Sequence, residues 1–242
     1  MPTRRRIAGA CTTPLVALVA LAATVLVAGC GSGAPQARSI TLTFIRHGQS
    51  EANASGVIDT DIPGPGLTAQ GKGQAEQVAH QFGRKDFDSV YASPMTRAQQ
   101  TAAPLAAELG KQVEVVQGLQ EINAGWFNGK PESMAASTYM VAPANWLKGD
   151  VGDSIPGSST GKEFNDRFTA AVNKIYYSGH NNPVVFSHLY AIEVWTLLNA
   201  KNVRDSLMTS HPLPNTGRVV LSGNPMTGWT LVDWDGIRDF HN

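Results

Sequence analysis

Cysteine is almost missing from this chain, with only Cys11 and Cys30 among 242 residues. Both lie near one end, so no disulfide can staple a domain, and stability has to come from an apolar core. About 200 residues are enough to build one. Surplus charge is missing too. Nineteen Lys and Arg face nineteen Asp and Glu, which removes the basic surface that nucleic acid would need. No Cys/His cluster has metal-ligand spacing, and no internal repeat is present. The longest apolar run, Leu15 to Gly29, has 15 residues, short of the ~20 that span a bilayer.

That run has another reading. Arg4-Arg5-Arg6 precede it and small residues close it at Val27-Ala28-Gly29. A basic start, an apolar middle and a small-residue cleavage point predict a secretory signal peptide over residues 1–29. Cysteine directly after the small residues resembles the lipobox of bacterial lipoproteins. The resemblance implies that Cys30 is acylated and becomes the new N-terminus. Two or more acyl chains anchor stably where one gives marginal binding. The alternative is an ordinary signal peptide with an incidental cysteine. Cleavage removes three arginines and no acid, leaving 16 basic residues against 19 acidic ones. Residues 30–39, rich in Gly, Ser and Ala, predict a lipid-anchored flexible tether, followed by one domain over 40–242. The expected place is the cell membrane, facing outside the cytoplasm, with the N-terminal lipid on Cys30 as the membrane contact.

From Ile40 onward, strand and helix signals alternate. Strands are expected at Ile40–Ile45, Ser89–Ala92, Val113–Val116, Val184–Phe186, Arg218–Leu221 and Trp229–Trp234. Helices are expected at Thr68–Phe82, Thr96–Leu109, Lys162–Tyr177 and Ala191–Asn199. The stretch 128–160 reads as an irregular excursion that covers a site. Alternating elements of this kind predict a three-layer α/β/α fold with a mainly parallel central sheet.

Four places put reactive groups at the ends of expected elements. Arg46 and His47 follow the first strand, in "LTFIRHGQSEAN", where α/β proteins bind ligands. Arg97 falls in the first turn of a helix, whose free N–H groups favour anions, and its guanidinium adds a bidentate phosphate fork. Glu121 stands in a tight loop after the third strand, and His188 directly follows the Val184–Phe186 strand. Singly each is ordinary; together they gather two His, two Arg and one Glu at one sheet edge.

In order along the chain, Arg46-His47-Gly48 with Ser50 and Asn53, Leu67-Thr68 with Gly71, Ser93 with Arg97 and Thr101, Leu119-x-Glu121, and Ser187-His188 resemble the histidine phosphatase superfamily. That superfamily includes the phosphoglycerate mutases. The resemblance covers about residues 40–222 and implies a phosphoglycerate mutase-like fold. It implies His47 as nucleophile, attacking a phosphoryl group in line to form a phosphohistidine. It places Arg46, Arg97 and a protonated His188 around the phosphoryl oxygens. Asn53 and Ser50 add phosphate contacts, and Glu121 is the general acid and then base. Asp59 and Asp61 are the next acid candidates. No cofactor or metal is implied, and the partner is a small phosphorylated substrate.

Two departures stand out. Leu189 and Tyr190 follow the second histidine, where the family has glycine and a small residue. Their bulk is expected to project into the mouth and narrow it. After Glu121, Ile122-Asn123-Ala124 replace the Arg and Tyr with which mutases grip a carboxylate. The expected activity is a metal-independent phosphoric monoester hydrolase. The alternatives are a catalytically weak, phospho-ligand-binding lipoprotein and, less favoured, a phosphoglycerate mutase.

Overall fold

In the computed structural model, residues 37–82, 87–204 and 206–240 are described. The signal peptide, Cys30 and most of the tether lie outside the described residues. Ala37–Asn242 form one compact unit.

Six strands make one sheet: β1 (Ile40–Arg46), β2 (Ser89–Ala92), β3 (Val113–Val115), β4 (Pro183–Ser187), β5 (Arg218–Asn224) and β6 (Gly228–Trp234). Their order is β3-β2-β4-β1-β5-β6. The first four are mutually parallel, and β5 and β6 join antiparallel. Side chains alternate between two faces, as strand geometry requires. Leu42, Phe44, Tyr91 and Val185 enter one core, while Ile45, Val90, Ala92, Val184 and Phe186 enter the other.

Helices α2 (Ala69–Gln81) and α3 (Thr96–Glu108) pack on each other and complete the second core. The larger core lies under α4 (Val141–Leu147), α5 (Gly161–Tyr177) and α6 (Leu189–Asn199). Side-chain caps start two of the long helices. Thr68 accepts the Gly71 N–H at α2, and Thr160 forms a capping box with Glu163 at α5, which satisfies otherwise free N–H groups.

Five elements differ from the expectation. A five-residue α1 (Glu51–Ser55) follows the first strand; it is too short for a hydrophobic period and is started by a capping box between Ser50 and Asn53. The excursion 128–160 is partly ordered as a 3₁₀ segment at Glu132–Ser137 and the seven-residue α4. Pro143, which suggests loop in sequence, sits in the first turn of α4 where no N–H is required. Helix α6 begins at Leu189, two residues before the expected start, with His188 as its N-cap. A short α7 (Leu207–Ser210) precedes β5.

The excursion is sewn into the larger core. Trp146 is fully buried and stacks on Phe164 with centroids 5.8 Å apart. Its indole N–H donates to the Asp153 carbonyl. A Cβ at Gly161 would stand 2.5 Å from the same indole, so α5 meets Trp146 through bare backbone.

Candidate active site

Strand register assembles the site. Arg46 pairs with Ser187 across β1 and β4, and Ala92 pairs with Phe186 across β2 and β4. The next residue on each strand is therefore brought level. The His47 N–H donates to the Ser187 carbonyl at 3.0 Å, and the Ser93 N–H to Phe186 at 2.9 Å. The His47 and His188 rings face each other with centroids 5.1 Å apart, and His188 Nε2 lies 2.8 Å from Ser93 Oγ.

The tautomer of His47 follows from its partners. Nδ1 lies 2.7 Å from the Gly48 carbonyl, which only accepts, so Nδ1 carries the proton. Nε2 then holds the lone pair, and Arg97 Nε–H donates into it at 3.0 Å. Gly48 is itself fixed by its N–H to Thr101 Oγ1 and by the close passage of α2. A Cβ on Gly71 would fall 2.0 Å from the Gln49 carbonyl. Burial, with the Arg97 and Arg46 charges behind it, pushes the His47 pKa well below the usual imidazole value. His47 is thus a neutral imidazole with its lone pair on Nε2.

Arg97 is held from both sides. One Nη donates to the Asp59 carbonyl at 3.0 Å, and the other faces Asp59 Oδ1 at 3.9 Å. Arg46 spends one Nη on the Leu213 carbonyl at 2.6 Å. Glu121 is 8% exposed. Its Oε1 accepts the Ile122 and Ala191 N–H groups at 2.9 and 2.7 Å, and its Oε2 accepts Tyr190 N–H at 3.2 Å. Burial raises its pKa, partly opposed by the Ile122 N–H and by Arg97. The early start of α6 is what aims those first-turn N–H groups at the carboxylate.

Arg46, His47, Asn53, Arg97 and Glu121 line one cavity, together with Asp59, Glu132, Tyr139, Leu189 and Tyr190. Its open space is about 50 Å³. Leu189 and Tyr190 both line the cavity and pack against the larger core; the Tyr190 ring meets Tyr139 edge-on, centroids 5.5 Å apart. Their side chains thus form part of the cavity wall, while the Tyr190 backbone holds Glu121.

Two residues expected at the phosphate carry other bonds; Ser50 lines the cavity and His188 lies outside its lining. His188 is fully buried, and burial, then Arg97, drives its pKa well below the usual value, so it is neutral here rather than protonated. Its Nδ1 has no hydrogen-bond partner. Ser50 spends its hydroxyl on the α1 cap, donating to Asn53 Oδ1 and accepting the Asn53 N–H, so it offers no free donor to a phosphate. Asn53 Oδ1 is used in the same cap, which leaves its NH₂ to face a ligand. Asp61 accepts from Asn128 and lies outside the cavity lining. Among the described residues, no group of three or more His, Cys, Asp or Glu can hold a metal ion, and no helix is long and apolar enough to cross a membrane.

Two residues had no sequence expectation. Asn215 Nδ2 donates to the His47 carbonyl at 3.1 Å, and Glu132 stands at the cavity wall. Asn215 is 168 residues from His47, and only its turn-like setting, Pro-Asn-Thr-Gly, hints at a structural role.

Two histidines, two arginines and a buried carboxylate thus gather on the side of an α/β fold where its parallel strands end. The chain belongs to the histidine phosphatase superfamily (branch 1), which it matches over residues 42–236. PE-PGRS family protein PE_PGRS11 of Mycobacterium tuberculosis is 44% identical over 216 residues, 83% of this chain. This chain spans 37% of that protein's length. Putative phosphoserine phosphatase 2 of Hydrogenobacter thermophilus is 30% identical over 147 residues, 61% of this chain and 72% of that protein. The solved structure of phosphoserine phosphatase from Entamoeba histolytica, in complex with 3-phosphoglyceric acid, is similar with a TM-score of 0.64 at 25% identity. It covers 82% of this chain and 98% of that one.

Proposed function

We propose that this chain is a phosphomonoesterase that works through a phosphohistidine at His47. The observation that carries the reading is the His47 tautomer: a neutral ring with its Nε2 lone pair turned to Arg97. On substrate arrival, Arg97 turns the hydrogen bond of its Nε–H from that lone pair to a phosphoryl oxygen and keeps its proton. Nε2 then attacks phosphorus in line as the P–O bond to the leaving group breaks, and Glu121 gives its proton to the departing alkoxide. In the second half, the Glu121 carboxylate takes a proton from water, whose oxygen attacks phosphorus and breaks the P–N bond. The phosphoryl charge draws a proton onto His188, against the burial and the Arg97 charge that otherwise keep it neutral. Metal is not a participant in these steps.

The buried Ile122 and Ala124 offer no grip on a substrate carboxylate and support hydrolysis over mutase chemistry. One observation favours the phospho-ligand-binding alternative, namely that Arg97 occupies the nucleophile's lone pair. Brief incubation with a ³²P-labelled phosphoester and an alkaline quench decides between the two. Acid-labile label that is lost in His47→Ala is the expected result. Phosphate binding without label or turnover would move the protein to the binding class, and activity abolished by EDTA and restored by a divalent ion would overturn the metal-free scheme.

Export and anchoring through Cys30 belong to the same proposal, supported by the Arg4–Arg6 start, the apolar run and the Val27-Ala28-Gly29-Cys30 junction. The substrate is then a small phosphoester outside the cytoplasm. Cys30→Ala should fail to take up labelled fatty acid, and uptake by the variant would refute the lipid assignment.

A further inference from the structure

Glu193 lies in the middle of α6, fully buried, and no step above uses it. Its Oε1 accepts the Leu213 N–H at 2.8 Å, and the Leu213 carbonyl accepts Arg46 Nη1 at 2.6 Å. Leu213 stands between Pro212 and Pro214, neither of which has an N–H. Its amide is therefore the sole backbone donor across 212–214, and Glu193 takes it. The residues that follow close on the nucleophile. Asn215 donates to the His47 carbonyl, and the Thr216 N–H donates to the Arg46 carbonyl at 3.1 Å. Thr216 is held at φ 62°, a conformation that a β-branched residue adopts only where its surroundings impose it. Glu193 Oε2 and Arg46 Nε have no hydrogen-bond partner.

We infer that Glu193 is a positioning residue for phosphate recognition: through Leu213 it fixes the carbonyl that aims Arg46, and its charge state sets how much of the Arg46 charge is left for the ligand. The groups that face it are Arg46 from β1 and Glu121 from the loop after β3, with Tyr190 on its own helix and the uncharged Leu213 amide from the proline segment. Burial raises its pKa to about 8, against the opposing pull of the Leu213 N–H and Arg46. Below that pH, Glu193 is neutral and Arg46 acts on phosphate alone. Above it, a carboxylate shares Arg46 and repels the dianion, so binding weakens.

The inference rests on the phosphatase reading for its meaning, but its test reads binding. Titration calorimetry of inorganic phosphate with the full chain, from pH 6 to 9, compares wild type, Glu193→Gln and Glu193→Leu; wild-type turnover of p-nitrophenyl phosphate is measured alongside. The ligand's own ionisation is common to all three proteins and cancels in the ratios. At pH 6.5, Glu193→Gln should bind within about twofold of wild type, and Glu193→Leu about tenfold more weakly, the loss expected when an acceptor for a buried N–H is removed. At pH 9, Glu193→Gln should bind about tenfold more tightly than wild type, because the competing charge is gone. A folded Glu193→Leu with wild-type affinity, or a Glu193→Gln that tracks wild type at every pH, overturns the inference. If Glu193→Leu does not fold, the Glu193→Gln profile decides. Phosphate binding with no wild-type turnover would sink the catalytic reading while leaving this one measured.

Discussion

Replacing Glu121 with Gln separates its proton from its shape. Three backbone N–H groups converge on the carboxylate: two on Oε1 and one, the longer at 3.2 Å, on Oε2. Oε2 is thus the oxygen better placed to carry the transferable proton. A glutamine can keep its carbonyl toward Ile122 and Ala191, and its NH₂ then opposes the Tyr190 N–H. Leaving that buried donor unpaired costs about 1–3 kcal/mol of stability, which at ~2–4 °C per kcal/mol for a domain of this size lowers the melting temperature by roughly 2–12 °C. The catalytic loss is separate. General acid catalysis supplies ~10²–10⁴-fold, or about 2.7–5.4 kcal/mol of barrier, for a leaving group as basic as an alkoxide. A nitrophenolate needs little protonation and should lose far less. The assay is kcat/KM on an alkyl phosphate and on p-nitrophenyl phosphate, for wild type and variant, below the variant's melting temperature. The ratio of the two losses is the decisive quantity, because misfolding lowers both alike. Equal losses would refute Glu121 as the acid and turn attention to Asp59, which lines the same cavity beside Arg97.

Gly71→Ala should destabilise the domain by ~1–3 kcal/mol through overpacking, despite the better helix propensity of alanine, because its Cβ would enter the Gln49 carbonyl; a melting temperature at or above wild type would refute the close approach. Leu189→Gly with Tyr190→Ala should raise kcat/KM on bulky phosphoesters more than on p-nitrophenyl phosphate, and unchanged ratios in a folded variant would leave both as packing residues only. Since the His47 pKa is lowered, its nucleophilic form persists below the usual imidazole range. The acid limb of kcat/KM should then fall well under pH 6.5, and a limb centred at 6.5 would contradict the burial argument.

Local pattern reveals elements whose length exceeds their own period. The strand expected at Ser89–Ala92 is observed at those residues, and α3 and α5 lie within one residue of expectation. Helices of five and seven residues complete too few turns to show a stripe, and Pro143 hides α4 further. The candidates Arg46, His47, Arg97 and His188 stood out because each sits at or beside an element's end, and Glu121 because a tight loop holds it. Charge states were not. His188 is neutral because it is fully buried with Arg97 close by, and no local window contains that sum. Glu193 carried a faint signal, one acid within the apolar run "YAIEVWTLL", since a buried carboxylate requires a partner. That partner, Leu213, lies 20 residues on.

The stacking of Trp146 on Phe164 bears on how substrates are chosen over time as well as in space. Since the excursion shares the main core, it cannot swing aside without unpacking Trp146, and the entrance behaves as a gauge of fixed width. Discrimination then falls at the encounter step, before any commitment to chemistry. On the phosphatase reading, a phosphoester too wide for the gap would be refused at the mouth, and one that fits would need only to draw the Arg97 N–H away from His47.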